Sequence, residues 1–317
     1  MEQAREIKQP ETAKAKSVAK KLAGLAIAAG AVLAGAHPNL DPIYATRQPV
    51  TINATCRKTC QPNQKPNMVV SLGDSVAGGN GLPAAVNAGP VAKACHDSPE
   101  AAVYSTAAKL NLRADQLACS GASLKQGVLK PQAIGSLVVP AQLARARGAI
   151  AGNIVTVSVG ADDVAWQQMV ADCLTSDCQT NKLGREFDHN IAAFRPAFNN
   201  FLHQLNSDHP AEVIVNQYYQ ALPADGGCYS FMGLASNKFR NINNDEHRLN
   251  QVIGSVTRIN HDTLVQPNFG GHGLCSGDPW LQGFTNSAPL HPNYMGQQEI
   301  AIADEAAINP EVQSPAT

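Results

Sequence analysis

Two short apolar runs, each ended by a glycine, constrain this chain most: Met68-Val69-Val70-Ser71-Leu72 before Gly73, and Ile154-Val155-Thr156-Val157-Ser158-Val159 before Gly160. Runs of this length and β-branched content fit strands buried on both faces, and such strands belong to parallel sheets covered by helices on each side. Weaker strands are predicted at Gln116 to Ala118, Glu212 to Val215 and Thr263 to Val265. Helix signals lie between them. Ser98-Pro99-Glu100 supplies an N-cap serine, a first-turn proline and an early acid before Ala101 to Leu110. Arg185 to Leu205 carries Phe187, Ile191, Phe194, Phe198 and Phe201 at helical spacing, with an interruption expected at Pro196. Asn237 to Asn260 reads as a long polar helix and Pro292 to Ala307 as a closing one. The alternation predicts one α/β domain over residues 67–317.

The segment before it has another character. Arg5, Lys8, Lys14, Lys16, Lys20 and Lys21 precede an uncharged stretch from Leu22 to Ala36 that ends Ala34-Gly35-Ala36. A basic start, a short apolar centre and an A-x-A end are the parts of a secretory signal, expected over residues 1–36. The apolar stretch is short and weak for a membrane span, so no stable insertion of the mature chain is expected, and retention as an anchor is the alternative. Residues 37–66, rich in Pro, Asn, Thr and Gln, read as a flexible arm. With 24 basic against 25 acidic side chains, the chain offers no basic field for nucleic acid.

Export permits disulfides, and the chain has Cys56, Cys60, Cys95, Cys119, Cys173, Cys178, Cys228 and Cys275. No C-x-x-C pair occurs and no histidine stands at finger spacing from a cysteine couple, so no metal site is expected. Cys56 with Cys60 and Cys173 with Cys178 are natural short-loop pairs; spacing leaves the other four open.

In an open parallel sheet the working site lies beyond the carboxyl ends of the strands. That rule selects Gly73-Asp74-Ser75-Val76 after the first strand and Cys119-Ser120-Gly121-Ala122 after the second. It also selects Gly160-Ala161-Asp162-Asp163 after the third, and a late loop leading to His291-Pro292-Asn293. One serine, one histidine and small-residue turns with exposed N–H groups are what acyl transfer requires: a nucleophile, a base for its proton, and donors for an oxyanion.

These blocks, G-D-S-V, C-S-G-A, V-G-A-D-D and H-P-N-Y-M-G-Q, resemble those of the SGNH (GDSL-type) hydrolases, within them the secreted actinobacterial-style esterases and lipases. The resemblance spans roughly residues 68 to 300, and Cys95-His96-Asp97-Ser98 and Asp278-Pro279-Trp280 agree with it. It implies a flavodoxin-like three-layer αβα sandwich around a mostly parallel five-stranded sheet. It also implies a monomeric serine esterase acting on a small-molecule or lipid ester without a cofactor. By position, Ser75 would be nucleophile, His291 general base, and the Ser75 and Gly121 N–H groups oxyanion donors. The implied disulfides are Cys95–Cys119, Cys173–Cys178 and Cys228–Cys275, with Cys56–Cys60 as an extra pair in the arm.

Two positions depart from the pattern. Asp162 stands where the family has an asparagine as third oxyanion donor, and an ionised carboxylate there would repel the oxyanion; losing one donor costs roughly 10²–10³ in rate. A carboxyl kept protonated by its surroundings would donate instead. Ala288 stands where many members have the aspartate that orients the histidine, and its main-chain carbonyl is the expected substitute. Rival readings are a polysaccharide O-acetylesterase, a phospholipase, or a binding protein in which Asp162 has ended catalysis. Asp74 is expected to fix the turn and Asp163 to cap the helix it begins. His96, His261 and His272 are expected at structural or surface positions. Trp166 and Trp280 are expected either to wall an acyl pocket or to pack in the core.

Overall fold

The computed structural model describes residues 65–175, 181–223, 227 and 236–309. The expected signal over residues 1–36, nearly all of the arm, and Cys56, Cys60, Cys178 and Cys228 lie outside the described residues.

The chain enters through β1 (Met68–Gly73), a one-turn helix α1 (Ser75–Gly78), α2 (Pro90–Cys95) and α3 (Ala102–Lys109). Then come β2 (Arg113–Gln116), a hairpin of β3 (Gln132–Ile134) and β4 (Leu137–Val139), α4 (Gln142–Ile150) and β5 (Ile154–Ser158). The second half runs α5 (Trp166–Thr175), α6 (Asn181–Ser207), β6 (Glu212–Asn216), α7 (Ser236–Ile259), β7 (Thr263–Val265) and α8 (Tyr294–Ile308).

Five strands form one sheet in the order β2-β1-β5-β6-β7, every pairing parallel. Four lie where expected; the second lies at Arg113–Gln116, ahead of the expected Gln116 to Ala118 and sharing only Gln116 with it, because its ladder to β1 runs from Met68–Arg113 to Ser71–Gln116. Because side chains alternate along a strand, each strand feeds two cores. Val70, Leu72, Val155, Val157, Val213 and Val215 pack against α4, α6 and α7. Val69, Ile154, Ile214 and Val265 meet Val103, Ala107 and Leu110 of α3 and the Ala303/Ala307 stripe of α8. Helices on both faces make the three-layer arrangement that two-sided burial demanded.

The expected interruption at Pro196 does not occur: α6 runs from Asn181 to Ser207 with the proline inside. A mid-helix proline costs about 3 kcal/mol. Phe194, Phe198 and Phe201, all buried around it and stacked in sequence, tie the helix to the sheet and outweigh that cost at roughly 1.5–3 kcal/mol for each buried side chain. Ser98 also departs from expectation. Its hydroxyl accepts from the Glu100 N–H at 3.1 Å and donates to the Pro83 carbonyl at 2.7 Å. It therefore holds a turn ahead of α3, whose own N-cap is Ala101.

Strand order reverses direction at β1: β2 lies on one side of it and β5, reached later in the chain, on the other. A crevice opens beyond the carboxyl ends at such a switch point. Residues 74–80, 117–124 and 159–165 all leave the sheet there.

Candidate active site

Ser75 opens α1 directly after β1. Its neighbour Asp74 is the N-cap, accepting the Val76 N–H at 2.9 Å, so this aspartate fixes the turn as expected. The strand-to-helix turn is tight enough that only glycine fits before it. Gly73 has φ +148°, and a Cβ there would lie 2.0 Å from the Ser158 carbonyl oxygen. Gln142, fully buried on α4, clamps the same glycine, accepting its N–H and donating to its carbonyl, both at 2.8 Å.

His291 arrives from the other end of the chain. Its Nε2 lies 2.7 Å from Ser75 Oγ. Its Nδ1 lies 3.1 Å from the Pro289 carbonyl, which takes first place as orienting acceptor. The Ala288 carbonyl, expected in that role, accepts the His291 backbone N–H at 3.3 Å and adds to the pull that raises the imidazole pKa. The loop bends through Leu290, whose φ of +68° no glycine relieves. Tyr219 donates its hydroxyl to the Leu290 carbonyl at 2.9 Å. Gln282 joins this loop to the nucleophile turn, donating to the carbonyls of Asn80 and Pro292. Burial pushes the His291 pKa below the ordinary imidazole value, partly opposed by the two carbonyls, so the ring is a neutral base at pH 7.

The two remaining blocks face this pair. Gly121 sits at φ +76° in the loop after β2, two residues beyond Cys119, which forms a disulfide with Cys95. Among the described residues, neither the Gly121 N–H nor the Ser75 N–H has an acceptor. Asp163 does not cap α5, which begins at Trp166. Its carboxylate instead accepts the Leu124 N–H through both oxygens, at 3.0 and 3.1 Å, tying the loop of Asp162 to that of Gly121. Asp162 lines the cavity, and its Oδ2 is buried with no hydrogen-bond partner among the described residues. Its pKa lies well above the carboxylate range, raised first by desolvation and then by the neighbouring Asp74 and Asp163 charges. Asp74 is itself pushed up to about 6, burial outweighing the hydrogen bond donated by Tyr218. Tyr218 also accepts the Ala161 N–H at 2.9 Å, bracing the Asp162 loop from below.

Ser75, Gly121, Asp162, Ala288 and His291 therefore stand together on one cavity of about 590 Å³. Trp166 lines it; Trp280 does not, stacking instead on His272 with ring centroids 3.6 Å apart. His96 has a larger part than its expected structural place: at φ +55°, it reaches the cavity and bonds Asn80 through Nδ1 at 3.1 Å. Cys173 and Cys275 are each disulfide-bonded. Tyr218, Tyr219, Gln142, Gln282 and Glu246 went unrecognised from sequence. Each acts through a contact more than twenty residues away, which no local pattern encodes.

Residues 71–299 match the GDSL-like lipase/acylhydrolase family, and the chain belongs to it. It is a hydrolase of ester bonds. Among solved structures, it is similar to the extracellular lipase of Streptomyces rimosus: TM-score 0.63, 22% identity, covering 76% of this chain and 99% of that one. It is also similar to phospholipase A1 of Streptomyces albidoflavus NA297: TM-score 0.61, 21% identity, covering 76% and 99%. No curated protein sequence matches it.

Proposed function

We propose that the protein is a secreted serine carboxylic-ester hydrolase that forms an acyl-enzyme on Ser75. The Ser75–His291 contact of 2.7 Å carries this reading, since nucleophile and base are already within proton-transfer reach. Ser75 Oγ attacks the ester carbonyl as His291 Nε2 takes the hydroxyl proton. The oxyanion is held by the Ser75 and Gly121 N–H groups and by the protonated carboxyl of Asp162, a neutral donor in the amide's place. The intermediate collapses with cleavage of the ester C–O bond, and His291 gives its proton to the departing alcohol. Water, deprotonated by the same nitrogen, then attacks the acyl carbonyl and releases the acid and free Ser75. The Pro289 and Ala288 carbonyls orient the ring and stabilise the imidazolium in each half-reaction.

The cavity favours an acyl group longer than acetyl. Val170, Leu174, Leu249 and Phe284 supply apolar wall that a two-carbon acyl would leave wet. Residues 1–36 would direct export and be removed, and the disulfides suit that destination. Ser75→Ala should lower kcat on aryl esters by about 10⁴-fold or more. Unchanged turnover would sink the assignment. A chain-length series should favour medium-chain over acetyl esters; best turnover on acetate would point to the O-acetylesterase alternative.

A further inference from the structure

The acyl pocket is not apolar throughout. Glu246 on α7 lines it with 7% of its surface exposed, although no element bearing the nucleophile or the base includes it. Leu249, one turn along on the same helix face, lines the cavity beside it, and Val170, Leu174 and Trp166 line it from α5. Among the described residues, the one hydrogen-bond partner of the Glu246 carboxyl is the Ala221 N–H, at 3.4 Å. Among the described residues no basic side chain compensates for its burial, which pushes its pKa to about 8. A protonated carboxyl thus stands in the wall at pH 7, with a donor and an acceptor unclaimed by the described residues.

Filling such a pocket with a plain alkyl chain removes water from that carboxyl and gives nothing in return. An acyl chain with a hydroxyl at the matching carbon keeps both hydrogen bonds while its remaining methylenes bury against the same wall. We propose that Glu246 is a specificity-determining residue that selects acyl chains carrying a hydroxyl group over unsubstituted chains of the same length. This rests on the ester-hydrolase reading above and names the substrate class of that site.

The test compares 4-nitrophenyl decanoate with esters whose hydroxyl is moved stepwise along the outer half of the chain, on wild type, Glu246→Gln and Glu246→Leu. Wild type should prefer one hydroxyl position over decanoate by about tenfold in kcat/KM, the size expected for one buried hydrogen-bonding group. Glu246→Gln should keep that preference at the same position. Glu246→Leu should bring the ratio near one, mainly by improving decanoate. A wild-type ratio at or below one at every position overturns the proposal, as does a ratio unchanged in Glu246→Leu. Since the leucine variant can fail to fold, the wild-type ratio stands as a test on its own. Calorimetric binding of decan-2-one and its hydroxylated counterparts to Ser75→Ala separates the two readings. Hydroxyl preference in binding without wild-type turnover keeps the role of Glu246 and sinks the esterase reading. Turnover without any preference does the reverse.

Discussion

At the scale of single residues, Asp162 raises the sharpest question, because a carboxylate is the wrong charge for an oxyanion hole. Its neighbours bias it towards the protonated form. Asp74, raised to about 6, and Asp163, raised to about 7, ionise first as pH climbs, and each negative charge makes the ionisation of Asp162 harder. The proton is thus retained longest on the one carboxyl whose Oδ2 has no other partner among the described residues. His291 works in the opposite sense: its lowered pKa frees the base early. Activity should therefore rise with pH below the ordinary imidazole range, hold through neutrality, and fall as the aspartate cluster gives up its last proton. In Asp162→Asn the amide donates at every pH, so the rising limb should stay and the alkaline fall should disappear. Measuring kcat against pH for both proteins checks this; superimposable profiles would mean that the side chain takes no part in holding the oxyanion.

At the scale of elements, the parts built for two-sided burial were readable in the sequence and those defined by tertiary contact were not. β1 and β5 are legible because a strand with helices on both faces has no position free for a polar side chain except where the neighbouring layer supplies a partner. The β3–β4 hairpin escaped because three-residue strands show no period, although Gly135, at φ +58°, marks its turn. The helix α4 escaped for want of a side-chain cap, its N-cap being Ala141, and α5 is preceded by Ala165 at φ +55°, a residue that carries no local helix-start signal. Of the site, Ser75, Gly121 and His291 were legible as strand-end blocks, whereas Gln142 and Glu246 are meaningful only once the fold brings them across the sheet. The Cys95–Cys119 disulfide belongs to this scale. It joins the end of α2 to the loop of Gly121, and Cys95 is followed directly by His96 in the cavity wall. Closing a loop of sequence separation 24 is worth about 3 kcal/mol by loop entropy. Replacing both cysteines by alanine should lower Tm by roughly 5–10 °C. It should also lower kcat more than it raises KM, because the donor proposed at Gly121 would act in the transition state. Calorimetry and steady-state kinetics on the double variant give both readings; an unaltered kcat would leave the bridge with stability alone.

The molecule as a whole holds several carboxyls away from water. Asp97, Asp163 and Asp304 are each raised to about 7 and Glu246 to about 8, in every case chiefly by desolvation. They lie in four different places: beside α2, between two site loops, on α8 against the second core, and in the wall of the cavity. The sign of their effect on stability is common to all. In the unfolded chain an Asp or Glu loses its proton near pH 4; in the folded protein these four hold it to about 7 or 8. Across that interval the folded state binds more protons than the unfolded one, so stability falls as pH rises. Their contribution is complete below about pH 4 and gone above about pH 8. His291 has the opposite sign, its lowered pKa favouring the folded state as pH rises, but it is one group against these four, and the raised Asp74 and Asp162 act in the same direction as the four. The protein should therefore melt at a higher temperature at pH 5 than at pH 8, and Asp304→Asn, which removes one of the four, should flatten the slope. Thermal scans of wild type and variant across that range decide it. A Tm that rises from pH 5 to pH 8 would mean that these carboxyls are ionised in the folded protein, and would count against the protonated Asp162 on which the proposed oxyanion hole rests.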